Sequence, residues 1–219
     1  MNHYIDHTLL SANATTDQIN TLCDEAHQHQ FFSVCINPGF VEHCAKRLET
    51  SNVKICTVIG FPLGANTTAV KVFETQNAIS LGADEIDMVV NISDVLAANW
   101  SNVEQEIRAI KKACGSQLLK VIFETCLLTN EQIVELCNIS QRAGADFVKT
   151  STGFSTGGAT VEHIKLMRDT VGKTMGVKAS GGVRTKEAAQ AMIDAGASRV
   201  GASASVSIIS GQAPTTDDY

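Results

Sequence analysis

The segment GADFVKTSTG, residues 144–153, passes from the end of a predicted helix into a predicted strand. A Gly-Ala-polar triplet stands at the same kind of junction at residues 82–84 (GAD) and again at residues 196–198 (GAS). Glycine is favoured where a helix ends, because the left-handed backbone found there penalises a Cβ atom. Three copies of one helix-to-strand junction indicate a chain built from repeated βα units.

Short apolar, β-rich segments recur along the chain and are predicted to be strands. They are residues 32–36, 54–59, 85–90, 118–123, 147–150, 176–179 and 199–201, with residues 3–6 added as a short first strand. Segments with helical periodicity lie between them. In one of these, Val103, Ile107, Ile110 and Cys114 make a single apolar stripe. Residues 203–210 are predicted to form the last helix.

Eight strands alternating with helices predict a single-domain (β/α)8 TIM barrel over residues 1–210. An open, doubly wound sheet is the other architecture for such a pattern, but no G-x-G-x-x-G motif follows the first full strand. A barrel needs at least about 200 residues, so a second domain has little room. Residues 211–219 are predicted to be a polar C-terminal tail.

Composition argues against several classes of protein. Lys and Arg number 17 against 23 Asp and Glu, a formal net charge of −6, so we expect no nucleic-acid or membrane partner. No apolar run reaches the roughly 18 residues that cross a bilayer, and the N-terminus lacks a signal-peptide pattern. Seven cysteines without C-x-x-C spacing indicate buried free thiols in a reducing compartment, and the scattered histidines form no metal-site pattern. We expect a cytoplasmic protein without a metal.

Several predicted strands carry a charged residue inside or at the end of an apolar run, namely Asp87, Lys120, Glu124, Lys149 and Lys178. Lys149 and Lys178 each precede the loop after their strand, which in a barrel is the rim where active sites form. Two inward lysines on neighbouring strands disfavour each other's charge, and burial adds to this, so one can become a neutral amine. A neutral amine forms Schiff bases with carbonyl compounds. A plain buried Lys–Asp ion pair is the alternative, and for Lys120 and Glu124 an internal ion pair and support of the site fit equally well.

Three segments rich in glycine and hydroxyl groups follow the last three strands, at residues 150–153 (TSTG), 180–184 (SGGVR) and 201–203 (GAS). Barrels often hold a phosphate at this position on backbone N–H groups and a helix N-terminus. Gly181 and Gly182 would let the backbone approach an anion closely, and Ser203 could add a hydroxyl group. Each glycine could serve only a turn, but the three segments together indicate a phosphate site.

Six segments resemble deoxyribose-phosphate aldolase, a class I, Schiff-base aldolase family with a (β/α)8 fold. They are IDHTLL (5–10), SVCINPGF (33–40), ADEIDMVVN (83–91), KVIFET (120–125), FVKTSTGF (147–154) and GVKASGGVRT (176–185). The resemblance implies a lyase that reversibly cleaves 2-deoxy-D-ribose 5-phosphate to D-glyceraldehyde 3-phosphate and acetaldehyde. It also implies a small-molecule sugar phosphate as partner, no cofactor, no metal and a homodimer.

The same resemblance implies roles for individual residues. Lys149 would be the Schiff-base lysine, Lys178 the second lysine that lowers the pKa of the first, and Asp87 the carboxylate that moves protons with a water molecule. Tyr219 matches a C-terminal tyrosine proposed in some members as a proton donor. The residues implied to contact substrate or its phosphate are Asp6, Thr8, Cys35, Thr150, Gly153, Gly181, Gly182, Gly201 and Ser203.

Two positions depart from the family pattern. Ala204 stands where many members have a second serine, and Phe154 stands where some have a lysine. We therefore expect backbone N–H groups to supply most hydrogen bonds to the phosphate. The alternatives are another class I barrel aldolase acting on a different sugar or keto-acid phosphate, a phosphate-binding barrel isomerase, or a catalytically silent barrel that serves in binding or assembly.

Overall fold

The computed structural model describes residues 1–211, and it shows a closed barrel of eight parallel strands. Each strand is hydrogen-bonded to the next in chain order, and the last is bonded to the first. The predicted (β/α)8 barrel is therefore confirmed. Tyr219 and the rest of the predicted tail beyond Gly211 lie outside the described residues.

The strands are β1 (Ile5–Leu9), β2 (Ser33–Ile36), β3 (Lys54–Ile59), β4 (Glu85–Val89), β5 (Leu118–Ile122), β6 (Phe147–Lys149), β7 (Gly176–Ser180) and β8 (Arg199–Ala202). All but the first agree with the predicted strands to within one residue at either end. The prediction of a first strand at residues 3–6 is wrong. Residues 2–4 form a short 3-10 turn, in which the Tyr4 N–H donates to the Met1 carbonyl at 2.8 Å. The strand begins at Ile5 because ladder partners on β8 and β2 are available only from there.

The helices within residues 1–211 are α1 (Thr16–His29), α2 (Val41–Arg47), α3 (Thr68–Ser80), α4 (Ile92–Leu96), α5 (Trp100–Cys114), α6 (Asn130–Arg142), α7 (Val161–Val171), α8 (Lys186–Asp194) and α9 (Ser205–Ser210). No helix in that range combines the length and apolar character that a bilayer crossing requires. The last helix is shorter than the predicted 203–210, because Ala204 caps it with a non-helical backbone (ψ 30°) and Ser203 stays in the loop.

Local signals determine where the helices begin and end. The Thr15 hydroxyl accepts from the Gln18 N–H, while the Gln18 side chain accepts from the Thr15 N–H, and Thr129 with Gln132 repeats this capping box at α6. At the other end of a helix, Gly82 follows α3 with a φ of +107°, a conformation that a side chain would strain. These signals set the point at which each strand enters the barrel.

The apolar core lies between the strands and the helices. Outward-facing strand residues such as Ile86, Val121 and Val148 are fully buried in the same cluster as Val103 and Ile107 of the predicted α5 stripe. The inward-facing positions are different in kind, because many of them are charged or polar. They include Asp6, Ser33, Glu85, Asp87, Lys120, Lys149, Lys178 and Arg199, all buried.

A buried ion pair outside the barrel joins α3 and α5 to the end of β4. The Lys71 ammonium donates to Glu106 at 2.8 Å and to the Val89 carbonyl at 2.9 Å, and the other Glu106 oxygen accepts from the Asn91 N–H. A Cβ atom at Gly60 would lie only 2.8 Å from the Lys71 side chain, so glycine makes room for the lysine. Burial lowers the pKa of Lys71 and raises the pKa of Glu106, so each charge depends on the other.

We expect Lys71→Met to reduce the free energy of unfolding by about 3–5 kcal/mol, because it leaves the Glu106 carboxylate buried without its cation. Adding Glu106→Leu should recover part of that loss. The control is Lys46→Met, whose partner Glu42 lies on the solvent face of α2, and which should cost less than about 1 kcal/mol. Urea unfolding measures all three variants. Equal losses for Lys71→Met and Lys46→Met would contradict this interpretation.

Candidate active site

Asp87 is the centre of an ion cluster inside the barrel. Its Oδ1 atom accepts from the Lys120 ammonium at 2.7 Å, and its Oδ2 atom accepts from Lys149 and Lys178, each at 2.9 Å. The strand register explains these contacts, because Asp87 pairs with Lys120 across β4 and β5, and Lys149 pairs with Lys178 across β6 and β7. Residues in register point to the same face of a sheet, so all four side chains enter the barrel.

Two further carboxylates and an arginine complete the cluster. Asp6 contacts Lys178 at 2.6 Å and also binds Arg199. Glu85 contacts Lys120 at 2.6 Å and Arg199 at 2.9 Å. Six charged side chains therefore form a closed loop of alternating sign, which we call the ion ring. Its members, in order, are Asp6, Lys178, Asp87, Lys120, Glu85 and Arg199.

Lys149 stands outside the ion ring. Each cation of the ring forms ion pairs with two carboxylates, whereas within residues 1–211 Lys149 is ion-paired with Asp87 alone. The ring has three positive and three negative members, so it is neutral when all are ionised. Among the residues that the structure describes, the ammonium of Lys149 is thus the charge in excess at this cluster. The six members of the ring balance one another without the charge of Lys149.

Electrostatic pairing outweighs burial at the ring members. Burial alone would raise the pKa of Asp87, but Lys120, Lys149 and Lys178 together hold it well below its ordinary value. Burial alone would lower the pKa of Lys178, but the Asp6 and Asp87 carboxylates raise it well above its usual range. The pKa of Lys120 is raised in the same way, chiefly by Asp87 against the effect of burial. Asp87, Lys120 and Lys178 therefore keep their charges across the neutral range.

Arg199 closes the ring on the side of the amino-terminal strand ends. It is the first residue of β8, and its guanidinium lies 3.5 Å from the centre of the Phe32 ring. Such cation–π contacts suit an arginine that is removed from water. The Asp6 carboxylate also accepts from the Ser33 hydroxyl at 2.8 Å. Arg199 therefore lies away from the carboxyl-terminal end of the barrel.

A cavity of about 90 Å³ opens at that end. Of the sequence-predicted site residues, those that line it are Thr8, Lys149, Gly153, Gly181, Gly182, Gly201 and Ser203. Asp6, Cys35, Asp87, Lys178 and Thr150 are buried behind that lining. The cavity is also lined by Leu10, Thr152, Ser180, Val183 and Arg184, which were not among the predicted site residues. Lys149 therefore joins the ion cluster to the cavity.

The glycine-rich loops form part of the cavity wall. Gly181 and Gly182 have φ values of +84° and +78°, which side chains rarely adopt. Gly201 has a different reason to be glycine, because a Cβ atom there would lie 3.1 Å from the Lys178 side chain. The Thr150 hydroxyl donates to the Ser180 carbonyl and accepts from the Ser180 N–H. These two bonds join the ends of β6 and β7. Arg184 adds a positive charge to this wall.

Sequence reasoning missed Arg199 and Glu85 as members of the cluster. A signal was present, because Glu85 stands two residues before Asp87 and must point to the same face of its strand. Arg199 is likewise a charged residue in an apolar strand, at the first position of β8. For Lys120, the structure shows ion pairs to Asp87 and Glu85, so it belongs to the support of the site.

Two thiols lie beside Asp87. Cys35 and Cys56 are in register on β2 and β3, and the Cys56 thiol donates to Asp87 at 3.2 Å. The contact between the two thiols, opposed by burial and assisted by Lys178, lowers the pKa of Cys35 to about 7. Cys35, Cys56 and Asp87 are close enough to share a metal ion. The three lysines already occupy the Asp87 oxygens and would repel a cation, so this donor set does not favour a metal.

Comparisons with known proteins identify the family. A family model described as DeoC/LacD family aldolase matches residues 1–213. The chain is 88% identical to deoxyribose-phosphate aldolase 1 of Vibrio vulnificus over the full length of both, and 60% identical to deoxyribose-phosphate aldolase of an Exiguobacterium species over 98% of this chain and 97% of that protein. Its fold matches that of the deoxyribose phosphate aldolase from Aeropyrum pernix, which is described as a unique tetrameric structure, with a TM-score of 0.89. The two sequences are 35% identical, and the match covers 95% of this chain and 89% of that one. The chain belongs to the DeoC/LacD family of aldolases.

Proposed function

We propose that the protein reversibly cleaves 2-deoxy-D-ribose 5-phosphate to D-glyceraldehyde 3-phosphate and acetaldehyde. One observation carries the proposal: Lys149 is the cation in excess of a neutral ion ring, and it is also a residue of the cavity wall. An amine that reaches the cavity, and whose charge the ring does not require, is suited to attack a carbonyl carbon. The names of the similar proteins support this substrate.

The reaction begins when the Lys149 nitrogen attacks C1 of the open-chain sugar phosphate. The resulting carbinolamine loses water and becomes an iminium ion. This restores a positive charge at the position of the former ammonium group, next to the Asp87 carboxylate. Since the pKa of Asp87 is held well below its ordinary value, Asp87 stays ionised and stabilises that cation.

The iminium ion then accepts the electrons of the C2–C3 bond. The C3 hydroxyl loses its proton, and C3 becomes the aldehyde carbon of glyceraldehyde 3-phosphate. C1 and C2 remain on Lys149 as an enamine, with C1 bonded to the nitrogen. Protonation of C2 and hydrolysis release acetaldehyde and regenerate the amine. Because the iminium ion is the electron sink, these steps need neither a cofactor nor a metal.

We assign the proton transfers to Asp87 together with a water molecule. Once Lys149 is no longer an ammonium group, the Asp87 Oδ2 atom loses one of its two donors and can orient water beside the bound sugar. Lys120 and Lys178 remain on Asp87 and hold it in place. Tyr219, which lies outside the described residues, is proposed as a further proton donor.

The substrate phosphate is assigned to the loops that follow β6, β7 and β8. Gly153, Gly181, Gly182 and Ser203 line the cavity there, and Arg184 contributes a positive charge. Backbone N–H groups near positive-φ glycines form concave anion sites. Because Ala204 and Phe154 stand where family members have a serine and a lysine, these backbone groups and Arg184 are expected to make most of the contacts.

Lys149→Leu should lower turnover of 2-deoxyribose 5-phosphate by about 10⁴-fold or more, because it removes the nucleophile. The fold should persist, since the ion ring stays neutral without Lys149. Borohydride treatment of the wild-type enzyme with acetaldehyde should leave an N-ethyl group on Lys149, detected by peptide mass spectrometry. Lys165→Leu is the control, as its ion pair with Asp169 is exposed. Retained turnover in Lys149→Leu, or a reduced adduct on another residue, would overturn the proposal.

We propose further that the protein works in the cytoplasm. All seven cysteines are free thiols, and six of them are buried. Cys35 and Cys56 lie on adjacent strands in register, beside the catalytic carboxylate. A reducing compartment would keep this pair as thiols.

We also propose a homodimer formed through the exposed face of α3. Large apolar side chains are exposed in this part of the molecule, with Val70 44% and Phe73 69% exposed on α3, and Leu63 72% exposed in the preceding loop. Val70 and Phe73 are three residues apart and therefore share a helix face. Exposed apolar groups of this size are typical of surfaces that bind another protein.

Sedimentation equilibrium should give a mass of about twice the 23.3 kDa of the chain. Phe73→Glu should shift the wild-type dimer to a monomer, because it places a charge on the apolar face. Val161→Glu, at an exposed position on α7, is the matched control and should remain dimeric. A monomeric wild type, or a Phe73→Glu variant that stays dimeric, would refute this interface.

A further inference from the structure

Glu124 has an unusual backbone for a residue with a long side chain. It follows β5 with φ 59° and ψ 60°, in the left-handed region. A residue other than glycine rarely adopts this conformation, and strain of this kind concentrates at functional sites. Gly60, the first residue after β3, has the same φ of +59° and is a glycine. The chain therefore keeps a glutamate where glycine would be the easier choice.

The Glu124 side chain is buried and directed at one residue. Its carboxylate accepts from both the hydroxyl and the backbone N–H of Thr152, the latter at 3.3 Å. The nearby Lys149 ammonium is ion-paired with Asp87 instead. Burial raises the pKa of Glu124, although the two bonds from Thr152 oppose that effect. A buried carboxylate close to a proposed phosphate site weakens anion binding by its charge, so its retention needs a compensating role.

The hydrogen bonds of Thr152 supply such a role. Its hydroxyl also accepts from the Phe154 N–H at 3.0 Å, so Glu124 and this N–H together fix the turn at residues 152–154. The middle residue of that turn is Gly153, with a φ of +87°. A Cβ atom on Gly153 would lie 3.9 Å from the Cα of Gly181, so the loops after β6 and β7 meet there.

We propose that Glu124 is a positioning residue for the substrate phosphate. It holds Thr152, and through it Gly153, so that the loop after β6 presents its backbone to the anion beside the loop after β7. The inference rests on the proposed function for the identity of the substrate. Two tasks in one cavity then fall to different residues. Lys149 reacts with the aldehyde end of the substrate, and Glu124 acts through Thr152 on its phosphate end.

The test compares 2-deoxyribose 5-phosphate with 2-deoxyribose, which lacks the phosphate. In Glu124→Gln an NH2 group replaces one carboxylate oxygen, so the side chain can no longer accept from both the hydroxyl and the N–H of Thr152. We expect KM for 2-deoxyribose 5-phosphate to rise by about tenfold, with little change in kcat for that substrate. For 2-deoxyribose, kcat/KM should change little. Glu131→Gln, the same change at an exposed position on α6, should behave as the wild type. An equal loss with both sugars, or no loss with either, would overturn the inference.

Two further variants keep the test decisive if Glu124→Gln folds poorly. Thr152→Val removes the hydroxyl while leaving the glutamate in place and should reproduce the selective rise in KM, whereas Thr152→Ser should restore the wild-type value. Stabilisation by inorganic phosphate, read as a shift in Tm, tests the loop without any turnover. It should be weaker in Glu124→Gln and Thr152→Val than in the wild type, and an unchanged shift would contradict the role of Glu124. A wild type that is stabilised by phosphate but inactive on 2-deoxyribose 5-phosphate would refute the proposed function instead.

Discussion

The ion ring inside the barrel is the constraint on which the rest of the structure depends. Burying an isolated charge is very costly, and the barrel interior buries six in the ring. The cost is offset because every member contacts at least two charges of opposite sign. The members come from β1, β4, β5, β7 and β8, so the ring also fixes how these strands align. A shift of one strand by one residue would turn its charge outward and open the ring.

The same ring distinguishes the proposed nucleophile, Lys149, from the neighbouring lysines. Lys120 and Lys178 each lie between two carboxylates, so the loss of either proton would leave a buried negative charge uncompensated. Within residues 1–211, Lys149 is ion-paired only with Asp87, and Lys120 and Lys178 already pair with that carboxylate. Repulsion between Lys149 and Lys178 does not by itself describe this site, because Asp6 also binds Lys178. That carboxylate makes the two lysines unequal.

The sequence was sufficient to predict the barrel, the strand positions after the first, and the placement of Lys149 and Lys178 on one face. Those predictions rest on short-range signals, namely strand alternation and glycine at helix ends. The closure of the ion ring joins Asp6 to Arg199, residues at opposite ends of the chain, and no local pattern reports such a contact. The misplaced first strand also obscured the role of Asp6. Glu124 shows a similar limit, because neither its left-handed backbone nor its bond to Thr152 has a signature in the sequence.

Nitrogen-15 NMR of the lysine side chains tests the central claim most directly, because it distinguishes an ammonium group from a neutral amine at each site. The spectra would be recorded on the wild-type enzyme as the pH is raised, with assignments from Lys120→Met, Lys149→Leu and Lys178→Met. Since the pKa values of Lys120 and Lys178 are raised, both should keep their protons above the ordinary range for lysine. We expect the Lys120 and Lys178 signals to remain those of ammonium groups throughout that ordinary range. Loss of the proton from Lys120 or Lys178 within the ordinary pH range for a lysine side chain would contradict the account.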